Sequence, residues 1–303
     1  MTIKERFGSF NRRGLFSRID TDHPLELLIG LDDRGNKAIK LRAQFNPRKL
    51  TGTEGLDVKQ FRNDSYSTIA FSLINDEMSS LFYLFCEDII ESTRKIEDIS
   101  TGYQSVTMRF LSWKKMFGGK KQKLLTEPEI MGLIGELLLL STKLFDKYGK
   151  EKALQGWSGQ ELTHKDFSYE NTWYESKAIL KSSTSVRISS IEQLESNSDG
   201  ELVVTRLEKM SPSFNGVSLN SLVREIYNMF DVEQDRDSFI KKVQIQGFSF
   251  NDYYDQFVYA VCEQKFYLVN SSFPKIRREQ IADAIIRAQY DIDIRAITDF
   301  EKK

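Results

Sequence analysis

The sequence predicts an α+β protein in which strand-like runs and amphipathic helices alternate along the chain. Its 303 residues leave room for two modest domains or one elaborate domain. Apolar side chains make up 40% of the sequence and aromatic side chains 12%, which is enough for a packed core and excludes a globally disordered chain. With 5 prolines and no low-complexity tract, the sequence is not collagen-like or mucin-like. The two cysteines and two histidines lack the spacing of a structural zinc site.

The first third of the chain has the features of a small α+β domain. Residues 25–31 and 37–42 are strand-like runs on either side of a turn sequence and predict a β-hairpin. We predict a further strand over 67–74, an amphipathic helix over 78–92 and another strand over 103–110. This part of the sequence shows no catalytic constellation.

Residues 99–126 are unusually basic for a chain whose formal net charge is −1. This stretch contains no acidic residue, and its basic residues are Arg109, Lys114, Lys115, Lys120, Lys121 and Lys123. Aromatic side chains and a methionine lie among them, which is consistent with a ridge that faces nucleic-acid phosphates. A solvated linker between two domains explains the same pattern equally well.

A buried helix is predicted over 126–148. It starts with the spacing of a capping box, has proline in its first turn and ends before Gly149. Its side chains are apolar nearly all round, which is typical of a helix inside a protein. Glu136 lies within this apolar run, where a carboxylate needs a cation, a metal or hydrogen bonds. The poor helix formers Gly132 and Gly135 flank the same turn and indicate that another element approaches closely.

The stretch after this helix is rich in strand-forming residues and predicts a hairpin. If the chain turns at residues 170–171 with a two-residue loop, residues whose numbers sum to 341 lie opposite each other. Asp166 then lies opposite Glu175, and His164 lies opposite Lys177. Because side chains alternate between the two faces of a strand, all four share one face.

Two carboxylates opposite each other on a hairpin repel, and a divalent cation between them removes the conflict. Carboxylate oxygens suit Mg²⁺, which keeps several waters and is completed by substrate phosphates. Lys177 is placed to orient or deprotonate an attacking water, or to neutralise charge developing at phosphorus. Glu136 would supply a further carboxylate. The alternative is a surface hairpin with an ordinary Glu–Lys pair, which contributes little stability.

The order of a Glu-bearing helix at Gly135-Glu136, then Asp166, then Glu175-Ser176-Lys177 resembles the PD-(D/E)XK nuclease superfamily. More narrowly, the chain resembles the "PD-(D/E)XK motif protein" family, which is associated with bacterial restriction–modification and defence loci. The matching segments are Cys86–Asp88 (CED), Gly132–Leu137 (GLIGEL), Gly156–Gly159 (GW-x-G), His164–Phe167 (H-x-DF), Tyr174–Lys177 (Y-E-x-K), Gln193-Leu194 (QL), Phe273–Ile276 (FPKI) and Tyr290–Ile294 (YDIDI). Their order and spread over nearly the whole chain carry the resemblance.

This resemblance implies a restriction-endonuclease-like core, in which helices flank a mixed sheet, joined to a strand-rich N-terminal α+β domain. It also implies a metal-dependent phosphodiesterase with Mg²⁺ as cofactor and Mn²⁺ as a substitute. The catalytic residues carried over by position are Asp166, Glu175, Lys177 and Glu136, and the three carboxylates among them are the metal ligands. The sequence departs from the family pattern at Lys165, which stands where the motif has proline.

Residues predicted to contact nucleic acid lie around this motif or in the basic stretch. They are His164, Lys181, Arg187, Gln193, Lys114, Lys115, Lys120 and Lys121. Each has a structural alternative, namely a sheet-edge histidine, a solvated Ser/Lys/Arg loop, a surface glutamine or a linker lysine. Trp157 and Trp173 could likewise stack on bases or belong to the core.

The remaining sequence predicts structural elements. These are strands over 186–189 and 202–207, helices over 219–230 and 277–288, and a hairpin formed by 257–262 and 266–270. We therefore divide the chain into three parts, which are an N-terminal domain over 1–118, a nuclease core over 119–210 and a C-terminal α+β extension over 211–303 packed on the core.

The sequence thus predicts Mg²⁺-dependent endonucleolytic hydrolysis of DNA by a subunit of a bacterial restriction–modification or phage-defence system. A non-cleaving DNA-binding or assembly subunit with the same fold is the main alternative, and cleavage of RNA is a third. We expect partner subunits such as a methyltransferase or an ATPase and leave a homodimer open. Because no apolar run is long enough to span a bilayer, we expect a cytoplasmic protein without membrane contact.

Overall fold

A computed structural model describes residues 1–118, 124–157 and 165–302. Within these ranges, none of the helices combines the length and the apolar character needed to cross a membrane. The chain divides into two compact units, of which the first comprises Met1–Gln122 with Ser249–Asp252. The second unit comprises the rest of the chain and contains every residue of the predicted catalytic motif.

The first unit combines a sheet with helices. Its strands and helices are α1 Ile3–Gly8, β1 Phe16–Arg18, β2 Leu27–Leu31, β3 Lys37–Ala43, β4 Leu56–Arg62, β5 Ser67–Leu73, α2 Ser79–Thr93 and α3 Ile99–Trp113. Among the described residues, the strands form a five-stranded antiparallel sheet in the order β1-β2-β3-β5-β4. The predicted hairpin, the strand near 67–74 and the helix near 78–92 are therefore confirmed.

The predicted strand over 103–110 is wrong, because this segment lies inside helix α3. Asp98 caps the helix by accepting a hydrogen bond of 2.7 Å from the backbone N–H of Thr101. The buried positions of α3 include Tyr103, Val106 and Phe110, which recur at spacings of three and four. The spacing of apolar residues typical of a helix is recognisable over the whole of Ile99–Trp113 but not over the shorter stretch 103–110.

The second unit contains the remaining elements. They are α4 Glu127–Leu139, α5 Phe145–Tyr148, α6 Lys150–Gly156, β6 Phe167–Tyr169, β7 Thr172–Leu180, β8 Ser185–Ile188, β9 Gly200–Met210, α7 Leu219–Met229, α8 Glu233–Ile245, β10 Val258–Val269 and β11 Tyr290–Asp293. A π-helical turn at Leu140–Leu144 joins α4 to α5, and Gly149 ends this continuous helix with a φ of +78°. The predicted long helix is thus confirmed, as are the strands at β8 and β9 and the helix at α7.

A mixed sheet organises this unit. Its strand order within the described residues is β10-β9-β7-β6, with β7 and β9 parallel and the other neighbours antiparallel. Helix α4 packs on the face of β7 that carries Ser176 and Ala178. The opposite face carries Trp173, Leu202 and Val204, which share a core with the β8–β11 ribbon. The predicted mixed sheet flanked by helices is therefore present.

Two predictions near the C-terminus are wrong. The predicted hairpin is the single strand β10, which pairs with β9 along its whole length and absorbs a bulge between Val261 and Glu263. The predicted helix over 277–288 contains only a short 3-10 turn at Arg278–Gln280. Ala284 and Ile285 of the predicted apolar face are exposed, so this segment lacks the tertiary packing that stabilises an amphipathic helix.

Candidate active site

The hairpin formed by β6 and β7 brings the predicted catalytic motif together. Its observed pairs are Phe167 with Tyr174, Ser168 with Trp173, and Tyr169 with Thr172. These numbers all sum to 341, so the predicted register is confirmed. Asp166 immediately precedes β6, and its Oδ2 accepts a hydrogen bond of 2.7 Å from the backbone N–H of Ser176. This bond holds the Asp166 carboxylate beside the middle of β7.

Glu175 is a fully buried carboxylate, with 0% of its surface exposed. Its Oε1 lies 2.7 Å from Nζ of Lys177, whose side chain is 18% exposed. Its Oε2 receives no hydrogen bond from the part of the chain that the structure describes. A buried carboxylate oxygen without a donor is costly, so this site is suited to a cation.

Helix α4 supplies Glu136 to the same region. The helix approaches β7 closely at Gly135, where an added Cβ would lie 3.1 Å from Cβ of Ala178. Nothing lies within 4 Å of the corresponding position at Gly132, so only Gly135 fulfils the predicted close approach. The half-buried Glu136 accepts a hydrogen bond of 2.8 Å at Oε2 from the indole N–H of Trp157.

The pKa values of these carboxyl groups depend on burial and on the charges of the neighbouring groups. Burial, with the nearby Asp166, raises the pKa of Glu175 to about 8, while Lys177 opposes this shift. Burial and Asp166 also raise the pKa of Glu136 well above its ordinary value. Burial raises the pKa of Asp166 itself, against the opposing effects of Lys177 and the Ser176 amide.

Lys177 responds in the opposite way to the same surroundings. Burial alone would lower its pKa, but the carboxylates of Glu175 and Asp166 outweigh burial and raise the pKa. Lys177 is therefore held as an ammonium ion against a cluster of acids.

Comparison with known families identifies the chain. The sequence model of DUF4420, described as "Putative PD-(D/E)XK family member", matches residues 4–295. The chain belongs to this family. No curated protein and no solved structure matches it. Membership in DUF4420 confirms the PD-(D/E)XK resemblance, and the mixed sheet with its helices is consistent with a restriction-endonuclease-like fold. PD-(D/E)XK proteins are usually metal-dependent nucleases, so the family indicates a nuclease-like function.

The described carboxylates of the DUF4420 chain do not form a closed metal cage. Within the described ranges, no group of three or more His, Cys, Asp or Glu side chains is placed to hold a metal ion. The donor set nevertheless suits a hard cation, because Oε2 of Glu175, which has no donor in the described part of the chain, lies near the carboxylate of Asp166. Mg²⁺ is commonly held by one or two carboxylates while it keeps several waters. These residues therefore fit Mg²⁺, and Glu136 would act directly or through a water.

Three of the predicted nucleic-acid contacts in this second unit, Lys181, Arg187 and Gln193, have local partners. Lys181 lies 2.8 Å from a carboxylate oxygen of Glu208, and Arg187 lies 3.5 Å from Asp291. The side-chain oxygen of Gln193 accepts a 2.7 Å hydrogen bond from the Ser189 backbone. None of these partners in the described part of the chain belongs to the carboxylate cluster, and His164 lies outside the described residues.

The described residues of the basic stretch differ in their exposure. Arg109 is buried, and its Nε donates to Oδ2 of Asp88 at 2.5 Å, so it is not a surface residue. Lys115 is exposed, whereas Lys114 is half-buried and donates to the hydroxyl of Thr51 at 2.8 Å. The predicted contacts Lys120 and Lys121 lie outside the described residues.

Two tryptophans belong to the core rather than to a base-stacking surface. Trp157 and Trp173 are 1% and 3% exposed. Sequence reasoning missed that Trp157 binds Glu136 and that Lys165, beside Asp166, is buried. The available signals were the GW-x-G match for Trp157 and the missing proline for Lys165.

Proposed function

We propose that this DUF4420 chain is a Mg²⁺-dependent endonuclease that hydrolyses phosphodiester bonds in DNA. The observation that carries the proposal is the buried Glu175, which is paired with Lys177 through one oxygen and has no donor at the other among the residues that the structure describes. Asp166 lies beside it, and family membership connects this arrangement with nuclease chemistry. An ordinary surface hairpin would expose its Glu–Lys pair to water instead of burying it.

Asp166 and Glu175 would hold the metal, with Glu136 as a further carboxylate. Bound Mg²⁺ would polarise the scissile phosphate and lower the pKa of a coordinated water. Lys177 is held in its protonated form by the neighbouring acids, which favours neutralisation of negative charge at phosphorus over removal of a proton from water. The carboxylates place the cation, and the ammonium group stabilises the charge that develops during hydrolysis.

The wider biological setting follows from the resemblance to proteins of defence loci. We propose that the chain is a subunit of a bacterial restriction–modification or phage-defence system and acts in the cytoplasm with a methyltransferase or ATPase partner. Contact with DNA would run through the lysines of the basic stretch and the loop between Lys181 and Arg187. Self-association as a homodimer belongs to the same proposal.

The direct test is cleavage of plasmid DNA by the full chain. Wild type and Lys177→Ala are incubated with methylated and unmethylated plasmid, with and without Mg²⁺. We expect Mg²⁺-dependent cleavage by the wild type and a loss of at least about 100-fold in the variant, since charge-stabilising groups contribute about 10²–10³ in kcat. Lys152→Ala, which removes an exposed lysine of α6, is the matched control and should cleave like the wild type.

Each outcome has a defined meaning. Equal Mg²⁺-dependent cleavage by wild type and Lys177→Ala would contradict the assigned site. DNA binding without cleavage on every substrate would contradict the endonuclease and favour the non-cleaving assembly subunit. A parallel reaction with an RNA substrate separates DNA from RNA hydrolysis.

A further inference from the structure

Lys165 stands where the motif has proline, and its side chain is buried, with only 8% exposed. Its Nζ donates hydrogen bonds to the backbone carbonyls of Glu192, at 2.5 Å, and Glu195, at 2.9 Å. The same Nζ lies 4.0 Å from the centroid of the Trp173 ring. A flexible surface lysine would make none of these contacts, so Lys165 is fixed in place.

The carbonyls that hold Lys165 lie in and just after a well-anchored turn. Glu192 lies in the 3-10 turn Ile191–Gln193, and Glu195 lies two residues beyond the end of that turn. Ile191 and Leu194 are buried at 2% and 0% exposure, so the turn is fastened to the core.

The consequence concerns Asp166, the next residue in the chain. Proline before the aspartate would restrict the backbone directly, whereas this chain ties the same position to the turn through a side chain. We propose that Lys165 is a positioning residue that holds the Asp166 carboxylate against the backbone N–H of Ser176. This role rests on the proposed function of Asp166 as a metal ligand. Lys165 acts through Asp166 and does not touch the substrate.

Lys165 could affect metal binding through its positive charge or by positioning Asp166. These two explanations predict opposite changes in cation affinity when Lys165 is removed. If Lys165 acted only through its positive charge, its removal would strengthen the binding of a cation to the nearby carboxylates. If Lys165 positions Asp166, its removal weakens cation binding, because supporting contacts around metal ligands contribute about 10–100-fold in affinity. The sign of the change in affinity therefore decides between them.

Lys275 provides a matched control on the same turn. Its Nζ donates a hydrogen bond of 2.9 Å to the carbonyl of Leu194, so it braces the turn from a different segment of the chain. Lys275→Met removes an ammonium–carbonyl bond as Lys165→Met does, but it leaves the attachment of Asp166 intact. An effect that came only from loosening the turn would appear in both variants.

The experiment measures Mn²⁺ binding by calorimetry, thermal unfolding, and NMR exchange of the Ser176 amide in the metal-free protein. We expect Lys165→Met to bind Mn²⁺ about 10-fold more weakly and to exchange the Ser176 amide faster. Lys275→Met should keep the wild-type Mn²⁺ affinity and the wild-type exchange rate of the Ser176 amide. Its loss of thermal stability should be similar to that of Lys165→Met. If Lys165→Met fails to fold, Lys165→Arg is used, whose planar head fits the two carbonyls poorly and should give a smaller change in the same direction.

Unchanged Ser176 exchange together with equal or tighter Mn²⁺ binding in the folded Lys165 variant would overturn the proposal. The same changes in Lys275→Met would also overturn it. If the wild type itself does not bind Mn²⁺, the proposed function fails. The exchange rate of the Ser176 amide still reports whether Lys165 positions Asp166.

Discussion

The indole N–H of Trp157 donates a hydrogen bond of 2.8 Å to Oε2 of Glu136. The Trp157 ring packs against Phe167 of β6 and Phe239 of α8, and the centroid of each of these rings is 6.2 Å from that of Trp157. Lys242 of α8 donates to the backbone carbonyl of Trp157. The orientation of the Glu136 carboxylate therefore depends on a helix that lies far along the chain from every residue of the nuclease motif.

Replacing Trp157 with phenylalanine tests this relationship. Trp157→Phe keeps an aromatic ring in the core but removes the donor, so Glu136 loses a hydrogen bond worth about 1–3 kcal/mol of stability. We expect weaker Mn²⁺ binding and a lower cleavage rate. Trp113→Phe is the control, because Trp113 donates a 2.8 Å bond to the buried carboxylate of Asp88 in the other unit. The control should lose stability and keep full activity. Equal loss of activity in both variants would mean that Trp157 acts only through stability.

The close approach of α4 to β7 gives a second prediction. Gly135→Ala would place its Cβ 3.1 Å from Cβ of Ala178 and 3.2 Å from Oγ of Ser176, which pushes the helix away from the strand. We expect a loss of about 1–3 kcal/mol in the free energy of unfolding, together with weaker metal binding. Gly132→Ala meets no neighbour and should stabilise the protein by about 0.5–1 kcal/mol. Chemical denaturation measures both values, and a stabilising Gly135→Ala would contradict the packing.

The buried Glu175 makes the stability of the metal-free protein dependent on pH. Because folding raises the pKa of Glu175 from its ordinary 4.5 to about 8, the folded state binds more protons than the unfolded state between these values. The contribution of Glu175 to the free energy of unfolding therefore falls as pH rises from about 4.5 to about 8. It changes little beyond that window.

Glu175→Gln removes this titration and should change the pH dependence accordingly. In EDTA, the stability of the variant relative to wild type should rise between pH 5 and pH 8, by at most about 1.4 kcal/mol for each unit of pKa shift. Urea denaturation at several pH values measures the difference. A difference that stays constant across the window would show that Glu175 does not titrate there. For the same reason, Mn²⁺ should bind wild type more tightly at pH 8 than at pH 6.

The basic stretch can be tested through the salt dependence of DNA binding. Each phosphate that a lysine neutralises should contribute about 0.9 to the slope of log affinity against log salt. Replacing Lys114, Lys115, Lys120 and Lys121 with glutamine should weaken DNA binding and flatten this slope with little effect on folding. Arg109 is left intact because it is paired with Asp88 in the core. Unchanged affinity and slope would identify the stretch as a linker.

Local sequence signals were sufficient to predict the elements whose structure depends mainly on neighbouring residues in the chain. The register of the β6–β7 hairpin follows from strand alternation and a two-residue turn, so the proximity of Asp166 and Glu175 could be predicted. The buried helix α4 could be predicted from its capping box and its apolar surface. The helix predicted over 277–288 is absent because its apolar face, which includes the exposed Ala284 and Ile285, is not packed, and local sequence does not show which faces the rest of the fold will cover.

The supporting contacts of the site could not be predicted for the same reason. The bond from Trp157 to Glu136 spans 21 positions, and those from Lys165 reach residues 27 and 30 positions away. Such contacts depend on how helices and turns pack around the sheet, which a motif does not specify. The motif identified which residues carry the chemistry but not which residues hold them in place.

The most direct test of the account is whether Asp166 and Glu175 bind a divalent cation. Calorimetric titration with Mn²⁺ compares wild type with the Asp166→Ala/Glu175→Ala double variant, after both are shown to be folded. The account predicts a saturable site in wild type that is lost in the double variant. Equal Mn²⁺ binding by the two proteins would contradict it.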